Sequence, residues 1–360
     1  KWVKVDEPNE STTLVDMDYP HYEEGLMPTC KIMSQMEGLD VLGNKRKQYQ
    51  LMEKHKPSSI GDYIPKTYML DPGDTENLRG IFDGRKFIVK PGFRECRYGI
   101  FVTKDYRDFC DKLKEETVKE RARDDYDRQM RPYDDWIIQE YIDNPLLYEG
   151  KKFHFRVFVL LVKNSKGFRV YVYDKFLMYF SRETYDPGKT TNGVCVSEGV
   201  QHMKRTYPDD FVNYLDWVKY RPSIDRQVRK IVKNCVGSFS TKITSNNSTI
   251  SGFKSYKILG LDILIDDSAK CYLAEVNTRM IGMCDNTKHP VGSFEYEMDK
   301  KERSLVYQMY SEVLVAIFSP DHKTNFTLVG TYSKKNRRTR KKSQHRKNRG
   351  KTQKREKKYM

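Results

Sequence analysis

Apolar residues follow two different periods along this chain, and the two periods predict a mixture of helices and strands. Apolar positions that recur every three or four residues predict helices; these segments are 44–55, 74–82, 106–125, 225–236 and 304–318. Alternating or short continuous apolar runs predict strands; these segments are 63–70, 86–90, 99–103, 135–142, 152–162, 168–180, 255–265 and 271–277. This mixed order predicts an α+β fold with more than one lobe.

Two short polar links predict that neighbouring strands pair in antiparallel fashion. The link "KNSKG" joins segment 152–162 to segment 168–180, and "DDSAK" joins segment 255–265 to segment 271–277. Asp, Ser and Gly are typical turn residues, so each link favours a hairpin.

Three polar residues interrupt the apolar pattern of the second predicted hairpin. Asp262 lies inside the apolar run "LGLDILI", and Glu275 and Asn277 end "YLAEVN", where alternation places both side chains on one face. A buried carboxylate is costly unless it is paired or bound to a metal. Three oxygen donors on neighbouring strands suit Mg²⁺. The alternative is an acid satisfied by backbone groups or a lysine, beside an exposed face of the sheet.

Cationic residues lie at the ends of other predicted strands. Lys90 ends "FIVK" just before "PGFRECRYG", where it could hold phosphates or be an ordinary exposed lysine before a turn. Lys152, His154 and Arg156 alternate along one strand face, which favours an anion site or, alternatively, a soluble edge strand. Residues 139–142, "QEYI", could offer backbone groups to an adenine edge or form a simple core strand.

Charge is distributed unevenly along the 360 residues. Residues 333–360 contain 15 Lys or Arg and one Glu, which gives a net charge of +14, whereas the whole chain carries +16. Residues 1–332 therefore carry about +2. The basic segment has few apolar residues and is predicted to be disordered. It could bind nucleic acid or an acidic protein, or direct nuclear import, and the alternative is a solvated terminus with no single partner.

The cysteines indicate the redox compartment of the protein, and the lengths of the apolar runs indicate whether it could span a membrane. Seven cysteines are scattered without a C-x-x-C pair, which favours free thiols in a reducing compartment. No apolar run reaches the ~18 residues that a membrane-spanning helix needs, so we expect no membrane partner.

The order of these segments resembles that of an ATP-grasp fold, and more closely that of the tubulin tyrosine ligase-like family. The resemblance runs from residue 64 to residue 320, and its most specific pieces are "FIVKP" with "GIF", "WIIQEYIDNPLLYEGKKFHFRVFVLL", "YKILGLDILIDD" and "YLAEVN". It implies an N-terminal lobe at 41–80, a central lobe at 81–150 and a C-terminal lobe with the metal site at 151–322. A weakly patterned lead-in (1–40) and a disordered basic tail (323–360) flank these lobes.

The resemblance also implies a role for each candidate residue, with ATP and Mg²⁺ as cofactors. The metal ligands would be Asp262, Glu275 and Asn277, with Asp262 also contacting the nucleotide. The remaining nucleotide-binding residues would be Lys90, Gln139, Glu140, Tyr141, Ile142 and Lys152. The catalytic candidates would be Arg156, which would face the reaction centre, together with Lys152 and Arg182.

The sequence departs from the family pattern mainly on the acceptor side. Glu140 stands where the family often has Lys, and His154 where it usually has Asp. The Thr-Asn segment that helps to hold the acceptor has no clear copy, and Asn192 or Ser197 in "TTNGVCVSEGV" could substitute. Arg182 is the nearest candidate for a displaced arginine.

The resemblance implies an ATP-dependent ligase that adds an amino acid to a protein or peptide carboxylate through an acyl phosphate. The donor would be free Glu, Gly or Tyr, and the acceptor an acidic protein or peptide such as a tubulin tail. Such an enzyme would be cytoplasmic, with association to the cytoskeleton as one option, or nuclear if the basic tail directs it there. The alternatives are a catalytically silent ATP-grasp module, an RNA-associated protein that uses the tail, and an ATP-grasp ligase for small peptides.

Overall fold

The computed structural model describes residues 14–15, 32–33, 36, 38–70, 75–93, 99–121, 135–164, 166–198, 204–207, 220–245, 254–278, 294–319 and 322–333. The α-helices are α1 (Lys45–His55), α2 (Tyr106–Arg121), α3 (Asn192–Cys195), α4 (Arg221–Ser245) and α5 (Phe294–Phe318). The strands are β1 (Leu14–Val15), β2 (Ile32–Met33), β3 (Thr67–Leu70), β4 (Phe87–Pro91), β5 (Phe101–Thr103), β6 (Trp136–Glu140), β7 (Leu147–Tyr148), β8 (Lys151–Asn164), β9 (Gly167–Tyr173), β10 (Phe176–Ser181), β11 (Ser197–Glu198), β12 (Lys204–Tyr207), β13 (Lys254–Ile265), β14 (Cys271–Asn277) and β15 (Phe326–Ser333).

A small antiparallel sheet has the strand order β3-β6-β4-β5. One of its faces packs on α2, where Phe87, Ile138 and the helix residue Phe109 belong to one buried cluster. The other face carries Ile88, Lys90 and Gln139, since Ile88 lies opposite Gln139 and alternates with the buried residues. The small sheet therefore keeps one face for its own core and turns the other toward the rest of the molecule.

A larger sheet is built around β8 and β13, which pair in antiparallel register from Ser255 with Lys163 to Leu264 with His154. β14 pairs with the other edge of β13, and β9 and β10 share the other edge of β8. The helix α4 covers one face, where Val228 and Val232 pack with Phe155 and Val157.

The second face of β8 has two different parts, and this division positions the site. Toward the C-terminal end of the strand, Phe158 and Leu160 pack in a separate apolar cluster with Leu305 and Met309 of α5. Toward the N-terminal end, alternation gives the same face to residues 152, 154 and 156, which are not apolar. The face that is covered by a helix at one end thus becomes polar at the other.

The structure confirms the predicted α+β class and most of the predicted elements. The helix predicted at 44–55 is α1, and the helices predicted at 225–236 and 304–318 extend to 221–245 and 294–318. Segment 74–82 contains a 3₁₀ helix (Glu76–Ile81), and part of segment 106–125 lies outside the described residues. Within the described part of the chain, no helix is both long enough and apolar enough to cross a membrane.

Two predictions are corrected. Segment 168–180 is not one strand, because β9 ends at Tyr173 and β10 begins at Phe176, although both pair with β8. Part of the segment assigned to a disordered tail, 323–360, is folded, because residues 326–333 form β15, which pairs with β9 and buries Phe326. Only Phe326 and Val329 of this strand are buried, and they are three residues apart, so β15 lacks the alternating pattern of a half-buried strand. Residues 334–360, with most of the predicted tail, and most of lead-in 1–40 lie outside the described residues.

Candidate functional site

The hairpin of β13 and β14 brings the three predicted metal ligands together. Asp262 lies directly opposite Glu275, and Gly260 lies opposite Asn277, so the three polar side chains share one face. The register shifts between Asp262 and Ile263, which places the irregularity of the hairpin at the site itself.

Asp262 is held by Arg156 from the neighbouring strand β8. Arg156 Nε donates to Asp262 Oδ1 over 2.5 Å and Nη2 donates to Oδ2 over 3.1 Å, while Asn277 Nδ2 donates to Oδ2 over 3.3 Å. Burial acts to raise the pKa of Asp262, but the Arg156 guanidinium outweighs it and holds that pKa below its ordinary value. Asp262 is therefore an anion that orients Arg156.

Glu275 is paired with Lys45, a residue that the sequence analysis did not select. Lys45 Nζ lies 3.3 Å from Glu275 Oε1 and is nearly buried. Lys45 is the first residue of α1, whose N-cap Asn44 accepts a hydrogen bond from the backbone N–H of Lys47 over 2.8 Å. The apolar pattern predicts this helix but gives no signal that its first turn reaches β14.

Lys90 is buried on the small sheet and faces the hairpin across the gap between the two sheets. Its ammonium donates to Gln139 Oε1 over 2.8 Å and to the Ala274 carbonyl over 3.5 Å. Burial lowers the pKa of Lys90 to about 8, although Glu275 partly opposes this shift. A lysine with uncharged hydrogen-bond acceptors is suited to an additional anion.

Lys152 is also buried and has a similar environment. Its ammonium donates to the Cys195 carbonyl over 3.1 Å and lies 3.8 Å from the centroid of the Tyr141 ring. Burial lowers the pKa of Lys152 to about 7, and the nearby Lys90 adds to this effect. The predicted alternative of a soluble edge strand does not describe this position, because β8 is paired on both edges.

His154 lies between Lys152 and Arg156 and is neutral at ordinary pH. Burial lowers the pKa of His154 to about 4, against the opposing influence of Asp262. Its Nε2 atom lies 3.6 Å from Asp262 Oδ1, and among the described groups it finds no hydrogen-bond partner. Its ring meets Tyr179 edge-on at 5.4 Å between centroids. The neutral imidazole therefore contributes volume and a polar atom, but no charge, to this face of β8.

The linker predicted to hold adenine lines a cavity of about 440 Å³. Three consecutive linker residues, Glu140, Tyr141 and Ile142, form one wall, and the turn between β13 and β14 forms another with Asp266 and Tyr272. Gln139 does not line this cavity but contacts Lys90. Glu140 is in a 2.6 Å salt bridge with Arg85. A cavity of this size has room for a base and a ribose.

Arg182 and the predicted acceptor segment lie outside the cluster formed by Asp262, Arg156 and Glu275. Arg182 is an exposed residue just after β10, and its carbonyl accepts a hydrogen bond from Lys151 Nζ over 2.7 Å. Asn192 donates to the Ile100 carbonyl over 2.9 Å, and the side chain of Ser197 is outside the described atoms. The roles assigned to these three residues stay predictions.

The charges of the site favour a polyanion, and its oxygen donors fit Mg²⁺. The site contains four buried or largely buried basic side chains and two carboxylates; these residues are Lys45, Lys90, Lys152 and Arg156, and Asp262 and Glu275. Among the described residues, no group of three His, Cys, Asp or Glu could hold a metal by itself. Two opposed carboxylates and one amide are what Mg²⁺ accepts when substrate phosphates complete its coordination. The residues fit the metal, provided that Arg156 releases an oxygen of Asp262 and Lys45 releases an oxygen of Glu275.

Comparison with known proteins adds to this geometry. The model of the Tubulin-tyrosine ligase family matches residues 26–279. The chain is 27% identical over 240 residues to human tubulin polyglutamylase TTLL6, covering 60% of this chain and 24% of that protein. It is 24% identical over 278 residues to tubulin polyglutamylase ttll-4 of Caenorhabditis elegans, covering 70% of this chain and 42% of that protein.

A glycine-adding relative is also similar. The chain is 27% identical over 156 residues to tubulin glycylase 3C of Tetrahymena thermophila, covering 40% of this chain and 15% of that protein. This chain thus spans less than half the length of each of these relatives, from 15% to 42%.

Proposed function

Since the chain belongs to the tubulin-tyrosine ligase family, we propose that it is an ATP- and Mg²⁺-dependent ligase that joins the amino group of an amino acid to a carboxylate of a protein or peptide. The observation that carries this proposal is the pair of buried ammonium groups, Lys90 and Lys152, whose hydrogen-bond acceptors are uncharged, together with the opposed carboxylates of Asp262 and Glu275. Such groups are costly to bury and gain most from a bound triphosphate.

Each part of the site has a distinct task in this proposal. Lys90 and Lys152 bind phosphate oxygens, and the linker with Tyr141 and Ile142 holds the base in the adjoining cavity. Asp262, Glu275 and Asn277 would hold Mg²⁺, whose chemical contribution when bound is to neutralise neighbouring phosphate oxygens. Lys45 positions Glu275 through their salt bridge.

The reaction proceeds in two balanced steps. An acceptor carboxylate oxygen attacks the terminal phosphorus of ATP, the bond from that phosphorus to the bridging oxygen breaks, and an acyl phosphate and ADP form. The donor amine then attacks the acyl carbon, phosphate leaves with the C–O bonding pair, and the amine loses a proton to give the amide. Arg156, oriented by Asp262, supplies fixed positive charge where negative charge develops on the transferred phosphoryl group and the oxyanion.

The acceptor is proposed from the names of the relatives and from charge. Two of the relatives are named tubulin polyglutamylases and one a tubulin glycylase. A glutamate-rich acceptor would be attracted to the basic segment 333–360, which raises its local concentration near the site. Glutamate is the first donor to test, and glycine and tyrosine follow.

The test is transfer of a labelled amino acid. Full-length protein is incubated with ATP, Mg²⁺, tubulin or a synthetic acidic peptide, and labelled Glu, Gly or Tyr in separate reactions. We expect ATP-dependent labelling of the acceptor that Lys90→Met lowers by about 10²–10³-fold, because it removes a cation from the transferring phosphates. Lys119→Met, on the exposed face of α2, is the matched control and should keep full activity.

Each failure of this test has a clear meaning. ATP binding without label transfer to any acceptor would favour a catalytically silent module. Label transfer that Lys90→Met leaves unchanged would contradict the residue assignment.

A further inference from the structure

The segment that connects β10 to β11 lies against the side chains of Tyr141 and Lys152, two of the proposed nucleotide-binding residues. Residues 191–196, which contain α3 and are called the clasp here, follow β10 and lead into β11. The Cys195 carbonyl of the clasp accepts a hydrogen bond from the Tyr141 hydroxyl over 2.9 Å and from the Lys152 ammonium over 3.1 Å. One backbone oxygen thus accepts hydrogen bonds from two side chains that bind the nucleotide in the proposed function.

The clasp is packed against the small sheet as well. Val194 and Cys195 are 0% and 1% exposed and share a cluster with Val102 and Tyr141, against which Ile88 also packs. Asn192 Nδ2 donates to the Ile100 carbonyl over 2.9 Å, just before β5. The clasp therefore joins the larger sheet to the face of the small sheet that carries Lys90 and Gln139.

The contact with Lys152 is a weak match for a buried ammonium. A carbonyl is a neutral acceptor, whereas hydrogen bonds from an ammonium to a phosphate oxygen are roughly twice as strong. The lowered pKa of Lys152, about 7, is consistent with this incomplete compensation by its surroundings. The hydrogen bond that a phosphate oxygen forms with this ammonium is therefore stronger than the bond to the carbonyl that it replaces.

We propose that the clasp takes the place of bound nucleotide at Lys152 and Tyr141, and that a nucleoside triphosphate displaces it. In the nucleotide-free protein the Cys195 carbonyl offsets part of the free-energy cost of burying the Lys152 ammonium, and the clasp closes the gap between the sheets. When the triphosphate binds, residues 191–196 leave Val102 and Ile88, and they return when the product leaves. This inference rests on the proposed placement of nucleotide at Lys152.

The alternative is a clasp that forms a permanent wall of the site. In that arrangement Cys195 stays buried when nucleotide binds, because nothing moves away from its thiol. The two arrangements therefore differ in the accessibility of one side chain.

The chain contains internal controls for this difference. Among the described cysteines, Cys235 and Cys271 are buried in the main core, away from the clasp, and Cys110 on α2 is partly exposed. All four thiols are free, so one labelling experiment on the intact chain reports on each of them.

The experiment is alkylation with a maleimide, followed by mass spectrometry of the peptides, with and without saturating Mg²⁺ and a non-hydrolysable ATP analogue. We expect the labelling rate of Cys195 to rise at least about tenfold with the analogue, which corresponds to about 1.4 kcal/mol in the opening equilibrium. Cys235 and Cys271 should keep their low rates, and Cys110 should keep its higher rate.

Calorimetry on the same samples separates the possible failures. If the analogue binds and Cys195 labelling stays constant or slows, the displaced clasp is wrong and the proposed function stands. If the analogue does not bind at all, the proposed function fails, and the clasp inference fails with it.

A variant that weakens the clasp tests the proposal both in the nucleotide-free protein and through the affinity for the analogue. Asn192→Ala removes the hydrogen bond to Ile100, so we expect faster Cys195 labelling in the nucleotide-free protein and tighter binding of the analogue. Thr191→Ala is the matched control, because Thr191 is exposed and its side chain makes no capping hydrogen bond to α3. Equal labelling rates in the two variants and the wild type would overturn the proposal.

Discussion

Among single residues, Lys90 and Lys152 differ most from ordinary lysines. Each ammonium is buried, each donates to a neutral oxygen, and each has a lowered pKa because burial disfavours its charge. Arg156 is different, because Asp262 binds its guanidinium through two hydrogen bonds. The lysines are therefore the groups that would respond most to a bound anion and to pH.

Nucleotide affinity should fall as pH rises above 7. The pKa values of Lys152 and Lys90 are about 7 and about 8, and a triphosphate needs both groups protonated. Each proton that must be taken up weakens binding by about tenfold per pH unit above the pKa. Calorimetry between pH 7 and pH 9 measures this slope.

Lys152→Arg is the control for this pH dependence, because its guanidinium stays protonated throughout the range. We expect the variant to show a shallower slope than the wild type. An affinity that does not change with pH in the wild type would contradict the assignment of both lysines to the phosphates.

Removing the buried charge of Lys152 should stabilise the free protein. Lys152→Met is expected to raise the free energy of unfolding at pH 7 by about 1–3 kcal/mol, because a buried charge is replaced by an apolar side chain of similar size. Since the pKa of Lys152 is lowered in the folded state, the burial penalty is complete below pH 7 and declines as pH rises toward about 10.4, the value in the unfolded chain. Urea unfolding at pH 6.5 and pH 9 tests the sign.

The neighbouring lysine serves as the control for this stability measurement. Lys151→Met changes a side chain on the opposite face of β8, so we expect an effect within about 0.5 kcal/mol at both pH values. If Lys152→Met instead lowered the free energy of unfolding by the same amount at both pH values, Lys152 would not carry a costly buried charge.

Secondary-structure elements could be predicted where the local pattern was strong. The turn "DDSAK" and the alternation around Asp262 correctly predicted the β13–β14 hairpin and hence the meeting of Asp262 with Glu275. The break at Asp174 and Lys175 was missed because it is only two residues long and has apolar runs on both sides, and β15 was missed because only two of its eight residues are buried. The contact of Lys45 with Glu275 joins residues 230 positions apart in the chain, and no local pattern carries that information.

One glutamine forms two hydrogen bonds between α1 and β14, in addition to the salt bridge of Lys45 with Glu275. Gln48 Nε2 donates to the Val276 carbonyl over 2.8 Å, and Gln48 Oε1 accepts from the Val276 N–H over 3.1 Å. Gln48→Ala should cost about 1–3 kcal/mol of unfolding free energy, because it leaves buried backbone groups without partners. Gln50→Ala on the exposed side of the same helix should stay within about 0.5 kcal/mol.

Urea denaturation of both glutamine variants provides the measurement. The same docking holds Lys45 beside Glu275, so Gln48→Ala should also weaken nucleotide binding. Equal stability of the two variants would show that Gln48 does not hold α1 in place.

In the molecule as a whole, two sheets face each other and the charge of the chain is concentrated at one end. The family match covers residues 26–279, whereas the excess of positive charge lies beyond residue 332. The sequence predicted this separation of charge from composition alone. That residues 326–333 form a strand could be learned only from the structure, because β15 is held by pairing with β9 and not by a local pattern.

Truncation tests where the folded body ends. A chain that ends at Ser333 should keep its melting temperature within about 2 °C of the full chain, whereas a chain that ends at His322 should lose about 5 °C or more. The shorter chain lacks the buried side chains of Phe326 and Val329, each worth about 1.5–3 kcal/mol, and each kcal/mol shifts Tm by about 2–4 °C in a body of this size. Scanning calorimetry of the two chains is the measurement, and equal melting temperatures would place the boundary at residue 322.

The most direct measurement is isothermal titration calorimetry of ATP with and without Mg²⁺ on the wild type, Glu275→Gln and Glu53→Gln. Glu275 belongs to the proposed metal site, whereas Glu53 is an exposed acid on α1 and serves as the control. We predict Mg²⁺-dependent binding that Glu275→Gln weakens by at least about tenfold, or about 1.4 kcal/mol, and that Glu53→Gln leaves unchanged. Absence of binding in the wild type, or binding that depends neither on Mg²⁺ nor on Glu275, would contradict an ATP site between the two sheets.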